Sequence, residues 1–166
     1  MTAEVESLIT DAMRAHIGVE SPPVTYEVDK NSVRMFARSV GHTDPVYYDE
    51  ASAKAAGYKS LPCPPGYLGT PVFDPRTADP TFGAPRNPNP MPEPPVKLTR
   101  VLNGGTEIEY FDDICAGDTL TSTSYVSDIQ ERRGSIGHML ITTSKTVYKN
   151  QDGKVVAIAT GTGIRY

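Results

Sequence analysis

The chain has 166 residues, of which 38% are hydrophobic and 22% are charged, so it is long enough for one domain with a substantial core. Its net charge of −4 argues against nucleic acid or an anionic membrane as the main partner, because both attract basic surfaces. No apolar run approaches the roughly 20 residues that cross a membrane, and the start lacks the basic and apolar blocks of a secretory signal. We therefore expect one cytoplasmic domain over residues 1–166.

The first third of the sequence predicts three helices and one strand. Apolar residues recur on one helical face over residues 4–17, and Gly18 is placed to end that helix. Residues 24–28 alternate like a strand. A second helix, capped by Asp29 or Asn31, ends at Gly41. A third helix over residues 50–56 is capped by Asp49.

Proline dominates the middle of the chain. Twelve of the fifteen prolines lie within residues 62–95, a density that excludes regular helix or strand. A segment this long is typical of lids and binding loops. A surface excursion that merely packs on the domain is the equal alternative.

The last 71 residues have the pattern of strands and turns that is typical of an antiparallel sheet. Five strands are predicted, at residues 96–102, 106–111, 119–130, 138–149 and 154–165. Asn103-Gly104 is a hairpin signal between the first two, and residues 131–134 are expected to turn back into the fourth. The fold class is therefore α+β, a long curved antiparallel sheet wrapped around a helix.

Cysteine and histidine are sparse. Cys63 and Cys115 lack a disulfide framework pattern, so free thiols are expected. Together with three scattered histidines they lack the spacing of zinc ligands, so no metal site is predicted. His138 lies at the start of a strand, where a lone histidine is usually structural.

Several short stretches, in order, resemble one known family. The whole chain is similar to the N-terminal-type domain of MaoC-like dehydratases, which have the hot-dog fold and include subunits of mycobacterial fatty-acid dehydratases. The resemblance depends on AHIG (15–18), VRMFA (33–37), GHTDP (41–45), YDE (48–50), AAGY (55–58), CPP (63–65), ICAGD (114–118), ERRG (131–134) and YKNQDGKVV (148–156).

The resemblance implies a fold, a partner and a reaction. The sheet would wrap a central helix, and a second hot-dog chain, identical or different, would complete an acyl tunnel near the interface. The implied reaction is (R)-specific hydration of a 2-enoyl thioester, or its reverse. CoA or acyl carrier protein would be part of the substrate, and no separate cofactor is implied.

The motif that carries the chemistry in this family is altered here. Active members have Gly-Asp-x-Asn-Pro, then an aliphatic residue and His, and the Asp and His deliver water across the double bond. In this chain Gly41 and Pro45 match. His42 replaces the Asp, Asp44 replaces the Asn, and Tyr47 replaces the His. Both proton-transfer groups of the family are therefore exchanged.

Two interpretations of the turn are open. In one, His42 is a base near neutral pH, Asp44 orients its ring and Tyr47 donates a hydrogen bond, so that a homodimer catalyses by itself. In the other, the turn keeps its shape only because the fold needs it. The second interpretation favours a partner-dependent enzyme, in which another hot-dog chain supplies the Asp and His. A non-catalytic acyl-CoA-binding module is a third possibility.

A second predicted site follows the proline pair. The resemblance places the start of the central helix here, so the backbone N–H groups of Gly66 and Tyr67 are expected to bind the thioester oxygen beside Pro65. Tyr67 would line the tunnel or, equally, pack in the core. Prolines beyond Leu68 would shorten the central helix and widen the cavity for a bulky acyl group.

Overall fold

The computed structural model describes residues 7–69 and 90–166. Within them lie three α-helices, two 3-10 helices and five strands. The α-helices are α1 (Asp11–His16), α2 (Lys30–Ser39) and α3 (Glu50–Ala55), and the 3-10 helices are Pro45–Tyr47 and Tyr67–Gly69. The strands are β1 (Val24–Glu27), β2 (Val101–Tyr110), β3 (Thr119–Gly134), β4 (Gly137–Lys149) and β5 (Val155–Arg165).

The five strands form one antiparallel sheet in the order β1-β3-β4-β5-β2. The three longest, β3, β4 and β5, lie side by side, and β2 pairs with β5 along the far edge. Together with the helices, of which α2 and α3 lie between β1 and β2 in sequence, this arrangement confirms the predicted α+β class.

The core has two parts. In the first, Val33 and Ala53 of the helices are fully buried in one cluster with Leu120 and Val156 of the sheet. The second cluster lies where the N-terminal segment meets β3 and β4. It contains Leu8, Met13, Val126, Ile129 and Leu140.

Local capping chemistry sets the helix ends. The Asp29 carboxylate accepts hydrogen bonds from the N–H groups of Asn31 and Ser32, and the Asp49 carboxylate accepts from that of Ser52. Asp29 is therefore the cap of α2, which settles the predicted choice between Asp29 and Asn31, and the predicted cap of α3 is confirmed. Gly18 follows α1 in the left-handed region with φ 82°, as expected for a stop residue.

The first helix is shorter than predicted. Helix α1 begins at Asp11, where the Thr10 hydroxyl accepts from the Met13 N–H, and residues 4–6 lie outside the described part. Ser7 and Leu8 instead donate to the carboxylate of Glu131 on β3, at 2.9 and 2.7 Å. The distant Glu131 carboxylate thus accepts the hydrogen bond of the Leu8 N–H, a backbone donor that would belong to a longer helix.

The predicted hairpin at Asn103-Gly104 is wrong. Both residues lie inside β2, which pairs with β5 on either side of a bulge between Asn103 and Gly105. A Cβ at Gly104 would lie 2.9 Å from Thr162 Cγ2, so glycine is there for a close approach between strands rather than for a turn.

Two further boundaries differ from prediction. Residues 96–100 are not strand. Just before β2 begins, Arg100 nevertheless exchanges two backbone hydrogen bonds of 3.0 Å with Tyr166. Strand β3 also runs through residues 131–134, which were predicted to turn, and the reversal comes at Ser135 and Ile136.

Much of the proline-rich segment lies outside the described residues. Of residues 62–95, the structure describes 62–69 and 90–95, and neither part contains an α-helix or a long strand. Only the 3-10 turn Tyr67–Gly69 is described where the central helix was expected to start. The rest of that helix and the predicted wide cavity fall outside. Among the helices of residues 7–69 and 90–166, none has the length and apolarity to cross a membrane.

Candidate functional site

The altered motif forms a tight turn between α2 and α3. Gly41, with φ 79°, ends α2, and the His42 N–H then donates to the Ala37 carbonyl at 2.9 Å. The Asp44 carboxylate accepts from the Val46 N–H at 3.0 Å and so caps the 3-10 helix that follows. Asp44 thus has a structural partner within the turn.

His42 and Tyr47 meet across this turn. Their ring centroids are 5.1 Å apart and their planes are tilted by 39°. Burial, and secondarily the neighbouring Tyr58 and Asp44, raises the pKa of Tyr47. The phenol therefore stays protonated at neutral pH, where it can donate a hydrogen bond but cannot accept a proton as a base.

Residues 61–65, the proline-rich strip before Gly66, are attached to the segment that precedes β3. The Cys63 N–H donates to the Ile114 carbonyl at 2.7 Å, and the Ala116 N–H donates to the Leu61 carbonyl at 2.8 Å. These bonds hold the strip as an extended ribbon beside residues 114–116. Gly66 then turns with φ 87°, a conformation that glycine adopts without strain.

The two residues after Pro65 have different surroundings. The Gly66 N–H donates to the hydroxyl of Tyr110, at the end of β2, at 3.2 Å. Tyr67 is buried in the first core cluster, where its ring meets Phe36 edge to face at 5.8 Å and its hydroxyl lies 2.6 Å from Ser32 Oγ.

An open pocket of about 190 Å³ lies between the turn, the proline strip and the end of β2. The lining residues that bear on the chemistry are Tyr47, Tyr58, Cys63, Pro65, Tyr110 and Asp113. The pocket therefore brings Tyr47 of the turn together with Pro65 of the second predicted site. His42, Asp44, Gly66 and Tyr67 are not among its lining residues, although Gly66 reaches its wall through Tyr110.

The pocket combines a neutral interior with an acidic rim. Burial strongly raises the pKa of the Cys63 thiol, so that it is neutral and a poor nucleophile at pH 7. Burial also raises the pKa of Tyr110. At the rim, Asp112 forms an ion pair with Lys154 at 2.7 Å, and this hydrogen bond lowers the pKa of the carboxyl. In residues 7–69 and 90–166 no three His, Cys, Asp or Glu side chains are placed to hold a metal ion.

Sequence reasoning missed Tyr58, Tyr110 and Asp113 as pocket residues. Tyr58 is the last residue of the family stretch AAGY (55–58), and Asp113 directly precedes ICAGD (114–118), so a hydrogen-bonding side chain at each position was a usable signal. The sequence around Tyr110 contains no such signal, because Tyr110 is 44 residues from Gly66 and contacts it only through the strand register of the sheet.

The fold and site together define a MaoC-like hot-dog domain. Residues 15–159 match the model of the FAS1-like dehydratase domain region, and the chain belongs to that family. It is also similar to UPF0336 proteins of Saccharopolyspora erythraea and Streptomyces avermitilis. Each is 32% identical over 126 residues, which cover 74% of this chain and 73% and 76% of the two relatives.

Solved structures agree on the fold. The ChsH1-ChsH2 complex of Mycobacterium tuberculosis matches with a TM-score of 0.73 and 16% identity, over 94% of this chain and 89% of that one. The HadBC (3R-hydroxyacyl-ACP dehydratase) complex of the same organism matches with a TM-score of 0.66 and 18% identity, over 90% and 96%. A MaoC-like dehydratase matches with a TM-score of 0.69 and 23% identity, over 93% of this chain and 43% of that chain. The predicted hot-dog fold and MaoC-like resemblance are confirmed.

Proposed function

We propose that this chain is a subunit of an (R)-specific 2-enoyl-CoA hydratase or 3-hydroxyacyl-thioester dehydratase, and that a second hot-dog chain supplies the Asp and His. The observation that carries the proposal is the open pocket at the motif turn. It has hydrogen-bond donors and a neutral interior, as a thioester needs, but no base in the position that the family uses.

The chemistry of the turn supports the dependence on a partner. Hydration needs a base that takes a proton from water and an acid that returns one to the substrate. Tyr47 remains protonated, and Asp44 is engaged by the Val46 N–H. Of the three predicted catalytic residues, His42 is thus left as the one candidate base.

The size of the pocket supports the same proposal. Its volume of about 190 Å³ is below the ~300 Å³ at which small-molecule sites usually begin. It is large enough for the reacting part of an acyl thioester and too small for a whole acyl chain. A second chain that covers its open side would complete a tunnel. Two of the similar structures are named as complexes of two proteins, which is consistent with such a pairing.

A self-sufficient homodimer is the second candidate, and one observation favours it. The rings of His42 and Tyr47 lie 5.1 Å apart, so a base and a hydrogen-bond donor share the turn. In this candidate His42 takes the proton, Asp44 orients the His42 ring and Tyr47 donates a hydrogen bond to the substrate. The roles of Pro65, Gly66 and Tyr67 in substrate binding stay predictions in either case.

Hydration of crotonyl-CoA separates the candidates. The purified chain, a MaoC-like chain that carries the intact Asp/His turn, and their mixture are assayed by the loss of enoyl absorbance. We expect no hydration by this chain alone and, in the mixture, a rate well above the sum of the two separate rates. The mixture with His42→Ala should keep that rate.

The control and the opposing outcomes are equally specific. His16→Ala is the matched control, because it removes an imidazole at the end of α1 and far from the turn in sequence. Hydration by the chain alone that is lost in His42→Ala and kept in His16→Ala would establish the homodimer instead. Absence of hydration in every pairing, with acyl-CoA binding retained, would leave a non-catalytic binding module.

A further inference from the structure

The backbone donor expected for the thioester oxygen already has a partner within the chain. The Gly66 N–H donates to the Tyr110 hydroxyl at 3.2 Å. A tyrosine hydroxyl has one hydrogen to donate as well as lone pairs to accept. Because its oxygen accepts from Gly66, the hydrogen of Tyr110 is available for a different acceptor.

We propose that the Tyr110 hydroxyl, held by the Gly66 N–H, is the group that binds the thioester carbonyl oxygen in the pocket. This inference rests on the proposed function, since it assigns a residue to the recognition of that substrate. Gly66 then acts one step behind the substrate, as a positioning residue for Tyr110. The ligand that the hydroxyl takes is a carbonyl oxygen, which becomes more negative as hydration proceeds.

The fold fixes both members of this relay, in which the Gly66 N–H binds the Tyr110 hydroxyl and the hydroxyl binds the substrate. Tyr110 is the last residue of β2 and pairs with Ala157 of β5, and the next residue, Phe111, donates to the Val156 carbonyl at 2.9 Å. Gly66 is held by the backbone on either side of it, where the Cys63 N–H donates to the Ile114 carbonyl at 2.7 Å and the Tyr67 N–H donates to the Pro64 carbonyl at 3.1 Å. Neither group has to reorganise before it binds an oxygen.

The surroundings of Tyr110 suit a donor. Tyr110 lines the same pocket as Tyr47, Cys63 and Pro65. Burial raises the pKa of the phenol, which therefore keeps its proton at neutral pH. The bond from Gly66 polarises the O–H group, and hydrogen bonds in such a chain strengthen one another. If instead Gly66 bound the substrate directly, its N–H would have to give up the Tyr110 hydroxyl.

Two CoA derivatives test the assignment by direct binding. Hexanoyl-CoA has the carbonyl, and S-hexyl-CoA is the thioether without it. The wild-type chain should bind hexanoyl-CoA about 5- to 10-fold more tightly, the difference that one hydrogen bond of this kind makes. Tyr110→Phe should bind the two ligands equally. Tyr125→Phe, which removes a hydroxyl on β3 outside this pocket, should keep the wild-type preference.

The opposing outcomes separate this inference from the proposed function. A preference for hexanoyl-CoA that persists in Tyr110→Phe would overturn the role of Tyr110 and leave the proposed function standing. Equal binding of both ligands by the wild type would also overturn that role. If neither ligand binds to the wild-type chain even in its mixture with the MaoC-like chain that carries the intact Asp/His turn, the proposed function is overturned, and this inference with it.

A measurement on the wild-type chain covers the case in which Tyr110→Phe fails to fold. In NMR spectra, hexanoyl-CoA should shift the ring resonances of Tyr110 while the solvent exchange rate of the Gly66 amide proton stays unchanged, because the bond between them persists. S-hexyl-CoA should shift the Tyr110 ring less. Release of the Gly66 amide from Tyr110 on addition of hexanoyl-CoA would contradict the relay.

Discussion

The Tyr48 hydroxyl donates a hydrogen bond to the backbone carbonyl of His42 and so closes the turn between α2 and α3. Arg34 of α2 adds a second brace, because its Nε donates to the Tyr48 carbonyl at 3.0 Å. The shape of the turn is thus maintained by Tyr48 and Arg34 together with the Asp44 cap, none of which stands at the two positions where the family has its Asp and His. Exchange of the family's Asp and His for His42 and Tyr47 is compatible with an intact turn.

Removal of the Tyr48 hydroxyl should therefore destabilise the fold. We expect Tyr48→Phe to lower the free energy of unfolding by about 1 kcal/mol, the typical net value of one hydrogen bond. Urea denaturation followed by circular dichroism measures the change. The matched control is Tyr125→Phe, the same exchange on β3, which should change the stability by less than about 0.5 kcal/mol. Equal losses in both variants would contradict the bracing role.

The close approach at Gly104 makes a second prediction. A methyl group there would lie 2.9 Å from Thr162 Cγ2 and 3.1 Å from the Thr162 carbonyl oxygen. Gly104→Ala should lower the free energy of unfolding by about 1–3 kcal/mol, as overpacking usually does. Gly161→Ala on the adjacent β5 is the control, since nothing lies within 4 Å of a Cβ built there. A stable Gly104→Ala variant would place the strands further apart than described.

Attachment of the N-terminal segment should depend on pH through Glu131. The Leu8 N–H lowers the pKa of this carboxyl most, with the Ser7 hydroxyl and His138 adding to the effect. A carboxyl with a lowered folded pKa stabilises fully above its unfolded value of about 4.3, and the contribution is lost as the pH falls through the folded value. The Leu8 amide should therefore exchange faster with solvent below about pH 4 than the pH dependence of exchange itself explains.

A charge-removing variant provides the control for this pH dependence. Glu131→Gln keeps an oxygen for the Leu8 N–H and loses the titrating group, so the excess exchange should no longer vary over that pH range. If the Leu8 amide behaves alike in wild type and Glu131→Gln, its attachment depends on the apolar contacts of Leu8 and Met13 alone.

Asp118 makes a fourth prediction. Its carboxylate is almost wholly buried, forms an ion pair with Lys59, and accepts from the Cys115 N–H at 2.9 Å. Asp118→Ala should cost about 2–4 kcal/mol, because it leaves the buried Cys115 N–H without its acceptor. Lys59→Met should cost less, since the Lys59 side chain is 56% exposed and the Asp118 carboxylate keeps the Cys115 N–H as a donor. Thermal unfolding of both variants checks the order.

Local chemistry explains why the helical part could be predicted from sequence. Asp49 caps α3 through bonds to residues within three positions, and the turn after Gly41 follows from a left-handed glycine and Pro45. Such bonds span few residues, so the sequence pattern contains them. The motif turn was located correctly for the same reason.

The predictions that were wrong or missing have one cause in common, which is a contact between residues far apart in sequence. Asn103-Gly104 has the local preference of a hairpin, but pairing with β5 on both sides keeps it inside a strand. The N-terminal helix is shortened by Glu131, more than 120 residues away. Tyr110 reaches Gly66 in the same non-local way. In each case a tertiary contact overrode or supplied what local preference could not indicate.

The two edges of the sheet are unequal. Strand β1 has four residues, whereas β2 has ten, nine of which are exposed. Beside β2 a further strand can gain backbone hydrogen bonds along ten residues, against four beside β1. If this edge pairs with the same edge of a second molecule, the addition uses up the long edges of both. Growth of the sheet then stops at two molecules, so the geometry favours a closed pair over an open-ended fibre.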